Sequence, residues 1–216
     1  MITLFKIGII GCILFILAAL RASAGDDKMV IANVDKNLPL RKIPAVLPPV
    51  VTEKFEYYEV NGICEKDLQC QMRQKGIAWT DGKKYNSTTS WHVKWDYGYN
   101  DTSRACSPDS FRVIVDITFR YPKWADTSGA PQPLVEKWNS YMQQLILHEN
   151  GHRDMAVDAA TELVHAVAEL PPAPNCAELD RELRSLSRTR MKKLNNDERE
   201  YDTATNHGFT QGAIFP

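Results

Sequence analysis

With 216 residues, 44% of them apolar and 25% charged, the chain can build one sizeable folded domain and is not a disordered or repeat-dominated polymer. A formal charge of −1, from 26 basic and 27 acidic residues, offers no basic field and excludes a nucleic-acid partner.

The first element is a targeting segment. Lys6 gives a short positive start, Ile7 to Leu20 is an apolar run, and Ala22-Ser23-Ala24 is an A-x-A cleavage site, so residues 1–24 are predicted to be a secretory signal peptide. The run is short for a membrane span and no second one follows, which predicts an exported mature protein, periplasmic or extracellular, with no stable span. Removing Lys6 and Arg21 from the 26 basic residues, against 27 acidic ones, leaves the mature charge at −3. Ile9-Ile10-Gly11-Cys12 resembles a lipoprotein box, but most of the apolar run follows the cysteine, which disfavours that processing.

Cys64, Cys70, Cys106 and Cys176 remain, an even number in an exported chain, and predict two disulfides. Cys64 and Cys70 are near enough in sequence to close a local loop, leaving Cys106 to join Cys176.

Residues 25–52 form a proline-rich, extended lead-in, and residues 53–216 a single domain. Phe55 to Val60 reads as a strand and Glu65 to Lys75 as a short helix. From Thr88 to Tyr97, Trp91, Val93, Trp95 and Tyr97 alternate with polar residues; from Phe111 to Tyr121, Val113, Val115, Ile117 and Phe119 do the same. Two half-buried strands joined through the Gly98 to Asp109 loop predict a small antiparallel sheet over residues 53–124.

Residues 133–216 are predicted to be mainly helical. Leu134 to Leu170 runs without an internal proline and places Leu134, Trp138, Tyr141, Leu145, His148, His152, Ala156 and Leu163 on one stripe. Pro171-Pro172-Ala173-Pro174 ends it, and a second helix opens at Asn175 or Cys176 with Leu179, Leu183, Leu186 and Leu194 at helical spacing. The predicted fold class is thus α+β, a small antiparallel sheet packed on a long antiparallel helical hairpin. On a rise of about 1.5 Å per residue, the second helix returns the chain after Leu194 to the level of His152.

That first helix carries His148-Glu149-Asn150-Gly151-His152, an H-E-x-x-H motif. Positions i and i+4 lie on one helical face, so His148 and His152 can present two imidazoles to one metal ion, and Glu149 beside them can take a proton from water. A zincin-like Zn2+ site follows. Gly151 costs about 1 kcal/mol against alanine in a helix, which predicts a close neighbour at that point.

Catalytic zinc usually takes three protein ligands. The expected third ligand is His207, in a turn beside Gly208, with Asp202 the alternative. Asp158 is excluded because the glycine that such an extended motif needs is Met155 and the helix continues through it; His165 and His92 are excluded by helix phase and strand face. Tyr201 is a candidate oxyanion donor.

Trp91-His92-Val93-Lys94-Trp95, the strand ending in Pro122-Lys123-Trp124, the His148 to His152 motif, and Tyr201-Asp202-Thr203-Ala204-Thr205-Asn206-His207-Gly208 with Gln211-Gly212 together resemble the bacterial family of predicted secreted zinc-dependent proteases known as domain of unknown function 922. The resemblance covers Phe55 to Pro216 and implies an envelope zinc metalloprotease acting on a protein or peptide. Two other readings stand beside it: an amidase acting on peptidoglycan peptides, and a non-enzymatic, metal-stabilised binding protein presenting Trp79, Trp91, Trp95 and Tyr97. No feature of the chain specifies an oligomeric state.

Overall fold

The strand β5, Cys106–Trp124, is the spine of the domain. Phe111, Val113, Val115, Ile117, Phe119 and Tyr121 alternate along it and are all buried, as strand periodicity requires of a face turned to a core. Full burial of each such side chain is worth roughly 1.5–3 kcal/mol. The opposite face is a polar ladder: Arg112 pairs with Asp96 at 2.8 Å, Asp116 with Lys94 at 2.7 Å and Arg120 with Glu56 at 2.7 Å, all solvent-accessible.

In the computed structural model the described residues are 47–79 and 82–215; the expected signal peptide and the lead-in up to residue 46 lie outside them. The described elements are β1 (Val50–Val60), α1 (Glu65–Lys75), β2 (Ile77–Ala78), β3 (Lys84–Tyr85), β4 (Thr88–Asp101), β5, α2 (Gln132–Ala168), α3 (Cys176–Thr205) and a 3-10 turn at Phe209–Gln211. No described helix is long and apolar enough to cross a membrane.

The sheet order is β1-β5-β4. β4 and β5 are antiparallel as expected, but β1 runs parallel to β5, so the sheet is mixed rather than antiparallel. The connection explains it: α1 and the β2–β3 ladder carry the chain from β1 to the far edge, where β4 runs antiparallel to β1 and turns back into β5 between them. β1 also starts at Val50, inside the segment read as lead-in. The expected long loop between β4 and β5 is mostly strand, with a bulge at Gly98/Tyr99 and a tight turn closed by Thr102, whose Oγ1 donates to the Ala105 carbonyl at 2.7 Å.

α2 starts after Pro131 with proline in its first turn, where the missing N–H costs nothing. Its buried stripe runs Leu134, Trp138, Tyr141, Leu145, His148, Glu149, His152, Ala156, Ala160, Leu163. α3 is capped by Asn175, whose side chain accepts from the Glu178 amide at 3.0 Å, and continues eleven residues past Leu194. Consequently Glu198, Tyr201 and Asp202 are helical. Arg190 of α3 meets Glu162 of α2 at 2.5 Å, and Trp91 and Tyr97 of β4 hydrogen-bond Glu198 and Asp180 of α3.

Cys106 and Cys176 form the expected disulfide, reinforced by paired backbone bonds of 2.8 Å between Cys106 and Ala173. Cys64 and Cys70 are free thiols, contrary to the expected second bridge. Cys64 caps α1 and Cys70 lies six residues on, about 9 Å along the axis and well round the helix, beyond the roughly 7 Å Cα separation a disulfide spans. The end of the chain docks through Phe215, whose ring lies 5.5 Å from Trp138 and 5.3 Å from Tyr141.

Candidate metal centre

His148, Glu149 and His152 sit mid-way along α2 and are 3%, 3% and 8% exposed. Burying three ionisable groups on one turn is costly unless each is paired. Each is.

Glu149 turns to β4 and the residue before it: Ser87 Oγ donates to Oε1 at 2.5 Å and Thr89 Oγ1 to Oε2 at 2.7 Å. Both carboxylate oxygens are held, which fixes the side chain beside the histidines. His148 Nδ1 lies 2.9 Å from Gln211 Oε1, and since an amide oxygen only accepts, Nδ1 is the donor and Nε2 faces Asp202. His152 Nδ1 lies 3.6 Å from Glu198 Oε1, itself the acceptor for Trp91 Nε1 at 2.6 Å. The two rings are thus oriented from behind, one by an amide and one by a carboxylate, as ligand histidines commonly are.

In front, three imidazole nitrogens converge on one atom. His148 Nε2, His152 Nε2 and His207 Nδ1 are 3.3, 3.1 and 3.4 Å from Asp202 Oδ1. Ligand atoms of His148, His152 and Asp202 all lie within 4.8 Å of one another. His207 stands at the rim, its side chain 43% exposed and its ring 4.9 Å from that of Tyr85.

Carboxylates stand at both nitrogens of His152, an arrangement that favours its charged form. Burial pushes His152 down, but hydrogen bonds to Asp202 and Glu198 outweigh it and raise the imidazole to about 10. Burial pushes Asp202 up, and the bonds from His148 and His152 outweigh that, holding its carboxyl far below the usual range. His148, His152 and Asp202 offer two imidazole nitrogens and a carboxylate oxygen close enough to share one ion, a donor set that suits Zn2+; the expected third ligand, His207, lies outside that group, 3.4 Å from the same carboxylate oxygen.

α3 ends in a left-handed turn that aims His207: Asn206 and His207 have φ of 47° and 52°, followed by Gly208 at 83°. Asparagine and histidine both enter this region more readily than most residues, and non-glycine residues held there cluster at functional sites. Gly208 is required twice, by its φ and because a Cβ would lie 3.0 Å from His148 Cγ.

Tyr201 fills the space under Gly151, where an added Cβ would collide with the phenol. This is the close neighbour that Gly151 predicted. Its ring stacks on His148 at 5.1 Å and meets His152 edge-on at 5.1 Å, while its hydroxyl donates to the His148 carbonyl at 3.2 Å and accepts from Gln211 Nε2 at 3.0 Å. The hydroxyl therefore points at helix backbone. Asp158, His165 and His92 are exposed and outside the cluster.

His148, Glu149, His152, Asp202 and His207 line one cavity of about 700 Å³, whose wall includes Trp79, Lys84, Tyr85 and Arg199. Sequence reasoning did not single out Ser87, Thr89 or Glu198, and it named Gln211 only within the family resemblance, because their spacing from the motif follows no local period.

Residues 55–208, most of the chain, match the model of a bacterial protein family of unknown function, DUF922. The chain belongs to this family. The DUF922 match runs from the centre of β1 to the glycine packed on His148, so it contains the histidine cluster and its framework. No curated protein and no solved structure matches the chain.

Proposed function

We propose that this DUF922 protein is an exported zinc-dependent peptidase of zincin type, with its H-E-x-x-H motif on one arm of an antiparallel helical hairpin. The observation that carries this reading is the convergence of His148 Nε2, His152 Nε2 and His207 Nδ1 on Asp202 Oδ1, beside a buried glutamate. His148, His152 and His207 would hold the zinc, with Asp202 as a further or substitute ligand. The ion, when bound, supplies Lewis acidity that makes water nucleophilic and polarises a scissile carbonyl.

The remaining work falls to the chain. Glu149, fixed by Ser87 and Thr89, accepts the proton of the attacking water and returns it to the leaving amine. Gln211 and Glu198 orient the two ligand rings. Tyr201, which the sequence suggested as an oxyanion donor, is assigned the part of a brace because its hydroxyl is committed to the His148 carbonyl. Substrate enters beside the free edge of β4, whose first residues line the cavity; an extended peptide can add there as a strand.

Glu149→Gln keeps the shape and removes the base. The expected result is a fall of about 10²–10⁴-fold in hydrolysis of denatured casein with zinc content unchanged. Undiminished turnover by this variant would show that Glu149 is not the base.

A further inference from the structure

Contacts between α2 and α3 show how the cavity is laid out. His148 faces Asp202 at 3.3 Å, His152 faces Glu198 at 3.6 Å and Glu162 faces Arg190 at 2.5 Å, so numbers rise along one helix as they fall along the other. Of the residues lining the cavity, Tyr141 and Leu145 therefore lie on one side of the histidine cluster, and Asn195 and Arg199 on the other. Asn195 stands level with about residue 155 of α2. From Tyr141 to that level is about 14 residues, or roughly 21 Å of helix, which matches about six residues of extended chain.

The two ends differ in chemistry. Tyr141 and Leu145 are buried, and with Ala213 they make one end mostly apolar. The other end is exposed and cationic: Arg199 is the only Lys or Arg of α3 that lines the cavity. Its Nε donates to the Asn195 carbonyl at 3.1 Å and its Nη2 to Asn196 Oδ1, both uncharged acceptors, and among the described residues no carboxylate pairs with it. These bonds brace the guanidinium on its own helix and leave Nη1 uncommitted. Lys84 of β3 adds a second positive charge to the wall, its Nζ donating to the Gln74 carbonyl at 2.6 Å.

The cavity's own acids are engaged elsewhere. Glu149 accepts from Ser87 and Thr89, Glu198 accepts from Trp91 and faces His152, and Asp202 faces three imidazoles. A braced guanidinium with open N–H groups matches the geometry of a carboxylate, and the carboxylates of a peptide are its Asp and Glu side chains and its C-terminus.

We infer that Arg199 is a specificity-determining residue that receives a substrate carboxylate, so that the preferred peptides carry one within about three residues of the bond cleaved, half the span of the cavity. The inference rests on the reading of the protein as a peptidase.

The test is a glutamate scan through an eight-residue peptide blocked at both ends, each member compared with its glutamine counterpart, together with a glutamine peptide whose C-terminal carboxylate is free. With zinc supplied, glutamate at one position should raise kcat/KM about tenfold over glutamine, mainly through KM. That preference should vanish in Arg199→Gln, and Arg199→Glu should favour lysine at the same position. A gain confined to the free C-terminus, and lost in Arg199→Gln, would place the same contact on a terminal carboxylate. Equal rates for glutamate and glutamine at every position with no gain from a free terminus, or a preference that survives Arg199→Gln, would overturn the inference. If no peptide is cut, the peptidase reading fails separately, and fluorescence anisotropy of the same labelled peptides on the metal-free protein decides: binding about tenfold tighter for a carboxylate peptide, lost in Arg199→Gln, supports the contact, and equal binding overturns it.

Discussion

Gly151→Ala is a sharp test of how the site is framed. In an unconstrained helix this change stabilises by about 1 kcal/mol, through backbone entropy and propensity. Here the new methyl meets the Tyr201 phenol, which is pinned by the His148 carbonyl and Gln211 and stacked on His148, so it cannot swing aside cheaply. Overpacking of this kind costs roughly 1–3 kcal/mol. The net expectation is destabilisation of up to about 2 kcal/mol, or roughly 2–4 °C in Tm for each kcal/mol. Because the hydroxyl is among the atoms the methyl would strike, Tyr201→Phe should relieve part of the clash. The same Gly151→Ala change should then cost about 1 kcal/mol less in that background, a coupling measurable by urea unfolding of the metal-free protein as a double-mutant cycle. A stabilising Gly151→Ala, or one with equal effect in both backgrounds, would refute the close packing of Tyr201 on the motif.

Three further outcomes are expected. In the metal-free protein, the contribution of His152 is fully present below its unfolded value of about 6.5 and lost as pH rises through about 10, so the stability difference between wild type and His152→Gln should shrink over that window; a difference that grew with pH would contradict the Asp202 and Glu198 contacts. Asp202, held low, adds stability that is present above its unfolded value of about 4 and lost in acid, so wild type should lose its advantage over Asp202→Asn as pH falls below that value. Replacing Cys106 and Cys176 by serine opens a link between residues 70 apart in sequence and should cost about 4 kcal/mol in urea unfolding, whereas serine at Cys64 and Cys70, both exposed and free, should change little.

The sequence exposed those parts of the fold where apolar side chains meet an apolar core. Alternation at Val113, Val115, Ile117 and Phe119 and the stripe from Leu134 to Leu163 correspond to β5 and α2 because burial drives both patterns. α3 defeats the same reasoning after Leu194: its inward residues there are Glu198, Tyr201, Asp202 and Thr205, turned toward a polar site, so the helix continues without hydrophobic periodicity. The parallel register of β1 was hidden because alternation reports faces and not direction. His148, Glu149 and His152 were legible from i, i+4 geometry, and Gly151 from its cost in a helix. Ser87, Thr89, Glu198 and Gln211 act only through tertiary placement, Ser87 and Thr89 lying 62 and 60 residues from Glu149 and Gln211 63 from His148, so no local rule marks them.

The central claim is that the three histidines and Asp202 form a zinc site. Elemental analysis of the dialysed protein, beside His148→Ala, His152→Ala and His207→Ala, tests it most directly. The account predicts about one zinc per chain in the wild type and strong loss in each variant. A wild-type protein that holds no zinc, even after the metal is offered, would contradict it.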